Sequence, residues 1–288
     1  MSAAARAIDP APAEATLAYA LRWRVRGLTP GAHRGADTGP TGAFRRLVPF
    51  ERSPDARRLD LRASLRDPFG GLYVRQFEQR SAAAVQVLID TSASTAFDGG
   101  HGSAWSRAIA LTRYVADAAG SIGDAFGLVA GAATAAVERP PLRQRANAAL
   151  DALDRHVPQG RSIDALIDAA RTLGLRRRLV FVLSDFAFAP AALATLLEAL
   201  AAHDVVPVRF GHDALTRLPR YGLAELADLE SGRRRLVWIR PALRTRWLAA
   251  EAAHREAVAA LCRRYGQPLL DLPGALDVEA VSRHLLER

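Results

Sequence analysis

The chain of 288 residues has no lysine and a single cysteine, Cys262. The lack of lysine excludes a phosphate-binding P-loop and Schiff-base chemistry, since both need that amine. One cysteine excludes an intrachain disulfide, and the apolar helical pattern around Cys262 predicts a buried structural thiol. No apolar run approaches the roughly 18 residues needed to cross a bilayer, so we expect no membrane span. The first residues lack the apolar segment of a secretory signal. These absences together predict a soluble cytoplasmic protein.

Arginine supplies all 39 basic side chains against 30 acidic ones, for a formal net charge of +9. Two arginine clusters stand out, at 176–178 and 233–235. Such clusters can contact nucleic acid, but each borders a strand pattern and neither is interleaved with aromatic residues. Solvated strand ends, or a surface for an acidic partner, fit these patterns better. We therefore expect no nucleic-acid ligand.

The hydrophobic pattern changes along the chain. Residues 1–15 are rich in Ala and Pro and are predicted to be disordered. Residues 16–80 form a predicted β-rich N-terminal lobe, with strand candidates at LAYALRWRV, AFRRLVPF, ARRLDLRA and GLYVRQFEQ and a Gly/Pro-rich loop over 28–42. In residues 81–288, continuous apolar strands alternate with helical patterns. The fold class predicted there is α/β, a doubly wound, Rossmann-like sheet, with a hairpin insertion near 223–240.

Two of the predicted parallel strands end in an acid. VQVLI ends in Asp90, and LVFVLS ends in Asp185. In an open parallel sheet, ligands bind beyond the carboxyl ends of the strands, where the strand order reverses. Two carboxylates meeting there repel each other unless a cation lies between them.

Hydroxyl groups accompany these acids. Ser92 and Ser94 follow Asp90 in the pattern D-x-S-x-S, and Ser162 in GRSID opens a helical pattern. Oxygen ligands without His or Cys favour a hard cation such as Mg²⁺ held together with waters, with Mn²⁺ or Ca²⁺ as alternatives. Two simpler interpretations stay open. Asp90 and Ser92 are also typical turn and cap residues, and Ser162 is also a typical helix N-cap.

The stretch DTSAST resembles the metal-ion-dependent adhesion site (MIDAS) of von Willebrand factor A domains. That family holds one divalent cation with D-x-S-x-S, a later Thr and a later Asp. The resemblance implies that Asp90, Ser92 and Ser94 match the first motif and that Asp185 matches the last Asp. Ser162 stands where the family usually has Thr, which keeps the hydroxyl group.

A wider resemblance covers roughly residues 20–288. RRLDLRASLRDPFGGLYVRQFEQR, LSDF, VVPVRF and LPRYGLAELADLESG look like the bacterial family called domain of unknown function 58. The family resemblance implies a von Willebrand factor A-like domain and a partnership with a MoxR-type AAA+ ATPase. The segment LRASLRDPFGG also resembles the branch of this family that is linked to assembly of methanol dehydrogenase.

The predicted function is a non-enzymatic, metal-dependent protein-binding adaptor. It would work with a MoxR-type ATPase in assembling or activating a client protein complex. The alternative is a Mg²⁺-dependent phosphohydrolase that uses Asp90. Phosphatases of the haloacid dehalogenase type need a second Asp two residues after the first, where this chain has Ser92, and they commonly use a lysine. Neither a G-x-S-x-G elbow nor a Gly-rich nucleotide motif occurs.

Overall fold

A computed structural model describes residues 16–27, 29–39, 42–212, 218–227, 229 and 232–288. The segment 1–15, predicted to be disordered, lies outside the described residues. Within the described residues, none of the helices is both long and apolar enough to cross a membrane.

The first part of the chain forms a small antiparallel sheet. Its strands are β1 (Pro30–Gly39), β2 (Ala43–Pro49) and β3 (Tyr73–Ser81), in the order β1-β3-β2. Two 3-10 turns and the short helix α1 (Leu61–Ser64) connect β2 to β3. The strands predicted from AFRRLVPF and GLYVRQFEQ are therefore confirmed, whereas the strand predicted from ARRLDLRA is wrong because that segment forms helical turns.

The prediction of a strand over LAYALRWRV is also wrong. This segment makes only an isolated bridge from Val25 to Gly35. Its side chains nevertheless alternate, with Leu17 buried and Tyr19, Leu21 and Trp23 partly buried against the core. The alternation of apolar residues thus indicates an extended segment. Its side chains pack against the core, although the segment does not join a sheet.

The predicted loop over 28–42 is instead largely strand β1. Its glycines are needed for close approach to β3, since a Cβ on Gly31 would lie 2.3 Å from the Ala82 backbone nitrogen. A Cβ on Gly35 would lie 2.2 Å from the Gln79 carbonyl oxygen. These glycines therefore permit close contact between the backbones, and the loop predicted from the Gly/Pro-rich composition is wrong.

The rest of the chain forms a larger α/β unit. Its strands are β4 (Ala84–Asp90), β5 (Ala125–Gly131), β6 (Ala135–Leu142), β7 (Leu179–Ser184), β8 (Asp204–Phe210), the hairpin β9 (Gly222–Ala227) and β10 (Arg234–Ile239), and β11 (Leu270–Leu272). Its helices are α2 (Ala104–Ser121), α3 (Asn147–Arg155), α4 (Asp164–Thr172), α5 (Pro190–Ala199), α6 (Pro241–Arg264) and α7 (Val278–Glu287). This alternation confirms a mixed α/β architecture.

Six strands form the central sheet, in the order β11-β8-β7-β4-β5-β6. All neighbours are parallel except β6, which runs antiparallel to β5. The sequence FGLVAGAATAAV is divided between β5 and β6. Its alanines conceal the turn, because Ala gives no local turn signal.

Helices cover both faces of this sheet. In β4, Val85, Val87 and Ile89 pack with α2, α3 and α7, while Leu88 faces the cluster of α4, α5 and α6. Cys262 is fully buried in the second cluster, and burial raises the pKa of its thiol to about 12. The prediction of a buried thiol is therefore confirmed.

The strand order reverses beside β4. β5, which follows β4 in the chain, lies on one side of it, and β7 lies on the other, so the reversal falls between β4 and β7.

A buried carboxylate ties the N-terminal segment to this sheet. Asp124, 1% exposed, accepts hydrogen bonds from the Tyr19 hydroxyl at 2.7 Å and the Ala83 backbone N–H at 2.8 Å, and its Oδ2 lies 2.7 Å from His33 Nε2. Burial, followed by the Asp124 charge, raises the pKa of Tyr19 above its usual range. Residues far apart in sequence are thus joined at one acceptor.

We expect Asp124→Ala to lower the free energy of unfolding by about 3 kcal/mol, because it leaves several buried groups without their partner. Urea unfolding followed by circular dichroism measures the change. Asp117→Ala, at an exposed position of α2, is the matched control and should have little effect. Equal losses in the two variants would contradict this role for Asp124.

Candidate metal centre

Asp90 is the last residue of β4 and is only 1% exposed. Its Oδ2 accepts a hydrogen bond from the Ser184 hydroxyl at 2.7 Å. Its Oδ1 accepts one from the Ser92 backbone N–H at 2.8 Å. Because β4 and β7 are parallel neighbours, with Ile89 beside Leu183, the strand register itself brings Ser184 next to Asp90.

The pKa of Asp90 is raised from its ordinary value of 3.8 to about 6. Burial is the largest cause of this rise and the charge of Asp185 is the second, while the hydrogen bonds from Ser184 and Ser92 lower the pKa. The two acids predicted to meet are therefore near enough to repel each other. The hydrogen bonds to Asp90 offset only part of the cost of burying its charge.

The two serines of D-x-S-x-S lie directly after this carboxylate. The chain turns into a 3-10 helix at Ala93–Ala96, which places Ser92 Oγ 3.2 Å from Ser94 Oγ. The turn is held by Thr95, whose hydroxyl donates to the Ser92 carbonyl at 2.7 Å. Ser92 is buried and Ser94 partly exposed, so the pair leads from the carboxylate toward solvent.

Ser162 lies in the loop that adjoins this turn. Two backbone hydrogen bonds join the loops, from Gln159 N–H to the Thr91 carbonyl at 2.7 Å and from Ala93 N–H to the Gly160 carbonyl at 3.0 Å. Ser162 Oγ is buried and has no hydrogen-bond partner among the described residues. The residue at the cap position of α4 is Ile163, and among the described residues no side chain caps that helix. The helix-cap interpretation of Ser162 is therefore wrong.

Asp185 begins a tight turn after β7. Its Oδ1 accepts a hydrogen bond from Ala187 N–H at 3.0 Å. The next residue, Phe186, is fully buried with a φ of 55°, in the left-handed region that glycine favours. Such strain persists only where the surroundings hold it, and it is common at functional sites.

Two residues that hold this turn were missed by sequence reasoning. Ser184 Oγ accepts a hydrogen bond from Phe186 N–H at 2.8 Å while donating to Asp90. His254 of α6 places its Nε2 2.7 Å from the Phe186 carbonyl oxygen. The position of Ser184, directly before the acid in LSDF, was an available signal. His254 had none, because only the fold brings α6 to this turn.

The donor set of this region fits a hard cation. Two carboxylates and three hydroxyls offer oxygen only, and one of the hydroxyls, that of Ser162, is buried with no partner in the described structure. The described residues contain no group of three or more His, Cys, Asp or Glu side chains placed to hold a metal. A site with two acids and three serines contains no such group, so the fit to a cation rests on the contacts above.

With EDTA present, we expect the Asp90 charge to destabilise the fold as the pH rises. Because the pKa of Asp90 in the folded state lies above its ordinary value of 3.8, the protonated carboxyl favours the folded state. This contribution to stability is complete below pH 3.8 and is lost as the pH rises through about 6. The shift of this pKa from 3.8 to about 6 corresponds to a loss of about 3 kcal/mol in the free energy of unfolding. Asp90→Asn, neutral and of the same shape, should remove this loss and be more stable than wild type at pH 7.

Urea unfolding across pH 4 to 7, about the range of this titration, measures the effect. Asp151→Asn, at an exposed position of α3, is the control and should retain the wild-type pH dependence. Identical curves for wild type and Asp90→Asn would contradict the prediction.

Comparison with known proteins identifies relatives by sequence. A protein of Mycobacterium tuberculosis, "Uncharacterized protein Rv1480", is 31% identical over 273 residues, which cover 92% of this chain and 85% of that protein. A Paracoccus denitrificans protein, "Uncharacterized protein in moxR 3'region", is 45% identical over 86 residues, covering 29% of this chain and 76% of that protein.

Among solved structures, BatB from Bacteroides thetaiotaomicron is 16% identical with a TM-score of 0.46, covering 71% of this chain and 97% of that chain. An aerotolerance-related membrane protein from Bacteroides fragilis is 15% identical with a TM-score of 0.46, covering 71% and 96%. Residues 49–257 match the family described as "Protein of unknown function DUF58". With most of its length matched to this family, the chain belongs to DUF58.

Proposed function

We propose that this protein is a non-enzymatic binding module whose contact with a partner protein depends on a divalent cation. The residues that would hold the cation are Asp90, Ser92, Ser94, Ser162 and Asp185. Mg²⁺ suits this oxygen set, and Mn²⁺ or Ca²⁺ are alternatives. The proposal includes assignment of the α/β unit to the von Willebrand factor A-like fold, with the residues above as its metal-ion-dependent adhesion site.

The observation that supports the proposal is that two energetically unfavourable features occur close together beside the end of β4. Asp90 is buried beside the charge of Asp185, and the nearby Ser162 hydroxyl is buried without a partner in the described structure. Either feature alone destabilises a fold. A cation bound among these groups would offset both at once.

The residues have separable roles in this proposal. Asp90 and Asp185 supply the only two formal negative charges, and the serines supply neutral oxygen. Ser184 and Ser92 hold the Asp90 carboxylate in one orientation through the hydrogen bonds at 2.7 and 2.8 Å. Because these residues carry only two negative charges, a divalent ion held by them would remain able to bind a carboxylate from another protein. An Asp or Glu of the partner would thus complete the contact.

We further propose that the partner is a MoxR-type AAA+ ATPase acting on a client complex, with assembly of methanol dehydrogenase as one candidate pathway. Support comes from the Paracoccus denitrificans relative, whose name refers to the moxR 3' region. A cytoplasmic location follows from this partnership and is part of the proposal.

The alternative, a phosphohydrolase with Asp90 as nucleophile, receives less support. Asp90 is 1% exposed, so its carboxylate is not open to a phosphate ester. The residue two positions later, where a phosphatase of this type needs a second acid, is Ser92. We therefore propose that the protein is not an enzyme.

We expect Ser162→Ala to separate metal binding from folding. In EDTA the variant should be at least as stable as wild type, because it removes a buried hydroxyl that has no partner among the described residues. With Mg²⁺ at about one hundred times the wild-type dissociation constant, wild type should gain roughly 2.7 kcal/mol and the variant clearly less. Thermal unfolding with and without Mg²⁺ measures both quantities. Ser121→Ala, at an exposed position, is the control, and an unchanged Mg²⁺ response in Ser162→Ala would exclude this ligand.

We expect EDTA and Asp90→Ala each to weaken binding to the MoxR-type ATPase of the same organism at least about tenfold, equivalent to 1.4 kcal/mol. Titration of labelled ATPase, with circular dichroism to confirm that the variant is folded, measures this. Equal affinity with and without EDTA would show that the contact does not depend on the metal.

We also expect no turnover of a generic phosphate ester such as p-nitrophenyl phosphate in the presence of Mg²⁺. An absorbance assay on purified protein tests this, with Asp90→Ala as the background control. Activity that disappears in Asp90→Ala would favour the phosphohydrolase instead.

A further inference from the structure

A concave site lies at the end of the central sheet opposite the candidate metal centre. Its base is formed by Ala84 and Ala125, the first residues of β4 and β5. Its walls come from the N-terminal segment around Trp23 and from the loop before β7, and its volume is about 770 Å³. We call it the arginine cleft. The six steps of β4 from Ala84 to Asp90 separate it from the candidate metal centre by about 20 Å.

The arginine cleft is strongly and one-sidedly charged. Of the residues that the structure describes, six arginines and no acidic residue line it; the arginines are Arg24, Arg26, Arg143, Arg176, Arg177 and Arg178. Arg24 forms an ion pair with Glu78 at 3.4 Å. In the described part of the chain, the other five arginines are in no salt bridge with a carboxylate.

Neutral groups hold several of these guanidinium groups in place. Arg176 donates to the Arg26 carbonyl at 2.7 Å, and Arg178 donates to the Leu173 carbonyl at 3.0 Å. Arg177 lies over the Trp23 ring, 5.1 Å from its centroid, and Arg143 donates to the Pro30 carbonyl. These contacts orient the side chains without neutralising their charge.

The cluster carries an electrostatic cost. Burial, and then the charge of Arg176, lowers the pKa of Arg178. Burial also lowers the pKa of the neighbouring His203, and the charges of Arg178 and Arg177 lower it further. Cations gathered and oriented in this way, five of the six without a carboxylate partner in the described part of the chain, are arranged for an anion from outside.

We infer that the arginine cleft binds a small molecule carrying two or more adjacent phosphate groups. The planar guanidinium group matches phosphate oxygens in a two-point contact, and several of them favour a ligand with several such groups. The volume lies within the range of small-molecule sites. The apolar part of the wall, with Trp23 and Val25, would contact an uncharged part of the ligand, as a nucleoside has.

The test is isothermal titration calorimetry of the full chain with inorganic tripolyphosphate and with ATP, in EDTA so that the candidate metal centre cannot contribute. Both probes should bind with one site per chain. Arg26→Gln and Arg177→Gln, at exposed positions, should each weaken binding by roughly tenfold, as expected for loss of a charge-assisted hydrogen bond. Arg66→Gln removes the same charge at an exposed position outside the cleft and should leave affinity unchanged.

Circular dichroism of each variant shows whether it is folded, and Asp90→Asn should bind both probes like wild type. Absence of binding by both probes would overturn the inference. An equal loss in Arg66→Gln would also overturn it, since net charge alone would then explain binding. Binding only to a glutamate-rich peptide, to single-stranded RNA or to phosphatidylglycerol vesicles would show a macromolecular partner and would equally overturn it.

Discussion

The burial of the Asp90 carboxylate is the constraint around which the candidate metal centre is organised. Taking an ionised acid out of water is costly, and the chain keeps it at 1% exposure. Ser184 and Ser92 each donate one hydrogen bond to it, the first from the end of β7 and the second from the turn that follows β4. The parallel pairing of β4 with β7 is what brings Ser184 to this group. The fold therefore supports a charge that its own hydrogen bonds do not fully stabilise.

The alternating apolar strands and helices after residue 81 were predictable because each element is locally consistent. A continuous apolar run such as AVQVLI can only be stable when both faces are covered, and acids at two strand tips meet wherever the strands are neighbours. The pairing of Asp90 with Asp185, across 94 intervening positions, therefore depended on β4 and β7 being neighbours. The order of the strands could not be read directly, because no local signal reports which strand lies beside which.

The N-terminal part was harder to predict for a different reason. The alternation of Leu17, Tyr19, Leu21 and Trp23 correctly reported which side chains face the core, but burial periodicity does not say whether a neighbouring strand is present. The glycines at 31 and 35 were read as turn residues, although they permit close contact with β3. Composition cannot distinguish these two uses of glycine, since only the position of the neighbouring backbone decides. Ser184 and His254 were missed on similar grounds, because their partners are distant in sequence.

The two edges of the central sheet limit how this protein can meet another. One edge is β11, only three residues long. The other is β6, which contains Pro140 and Pro141, and proline cannot donate to an added strand. Both edges are therefore poor templates for extension of this sheet by a partner's strand, which also protects it from edge-to-edge aggregation. Recognition through the sheet is left to the loops and side chains at the two ends of its strands.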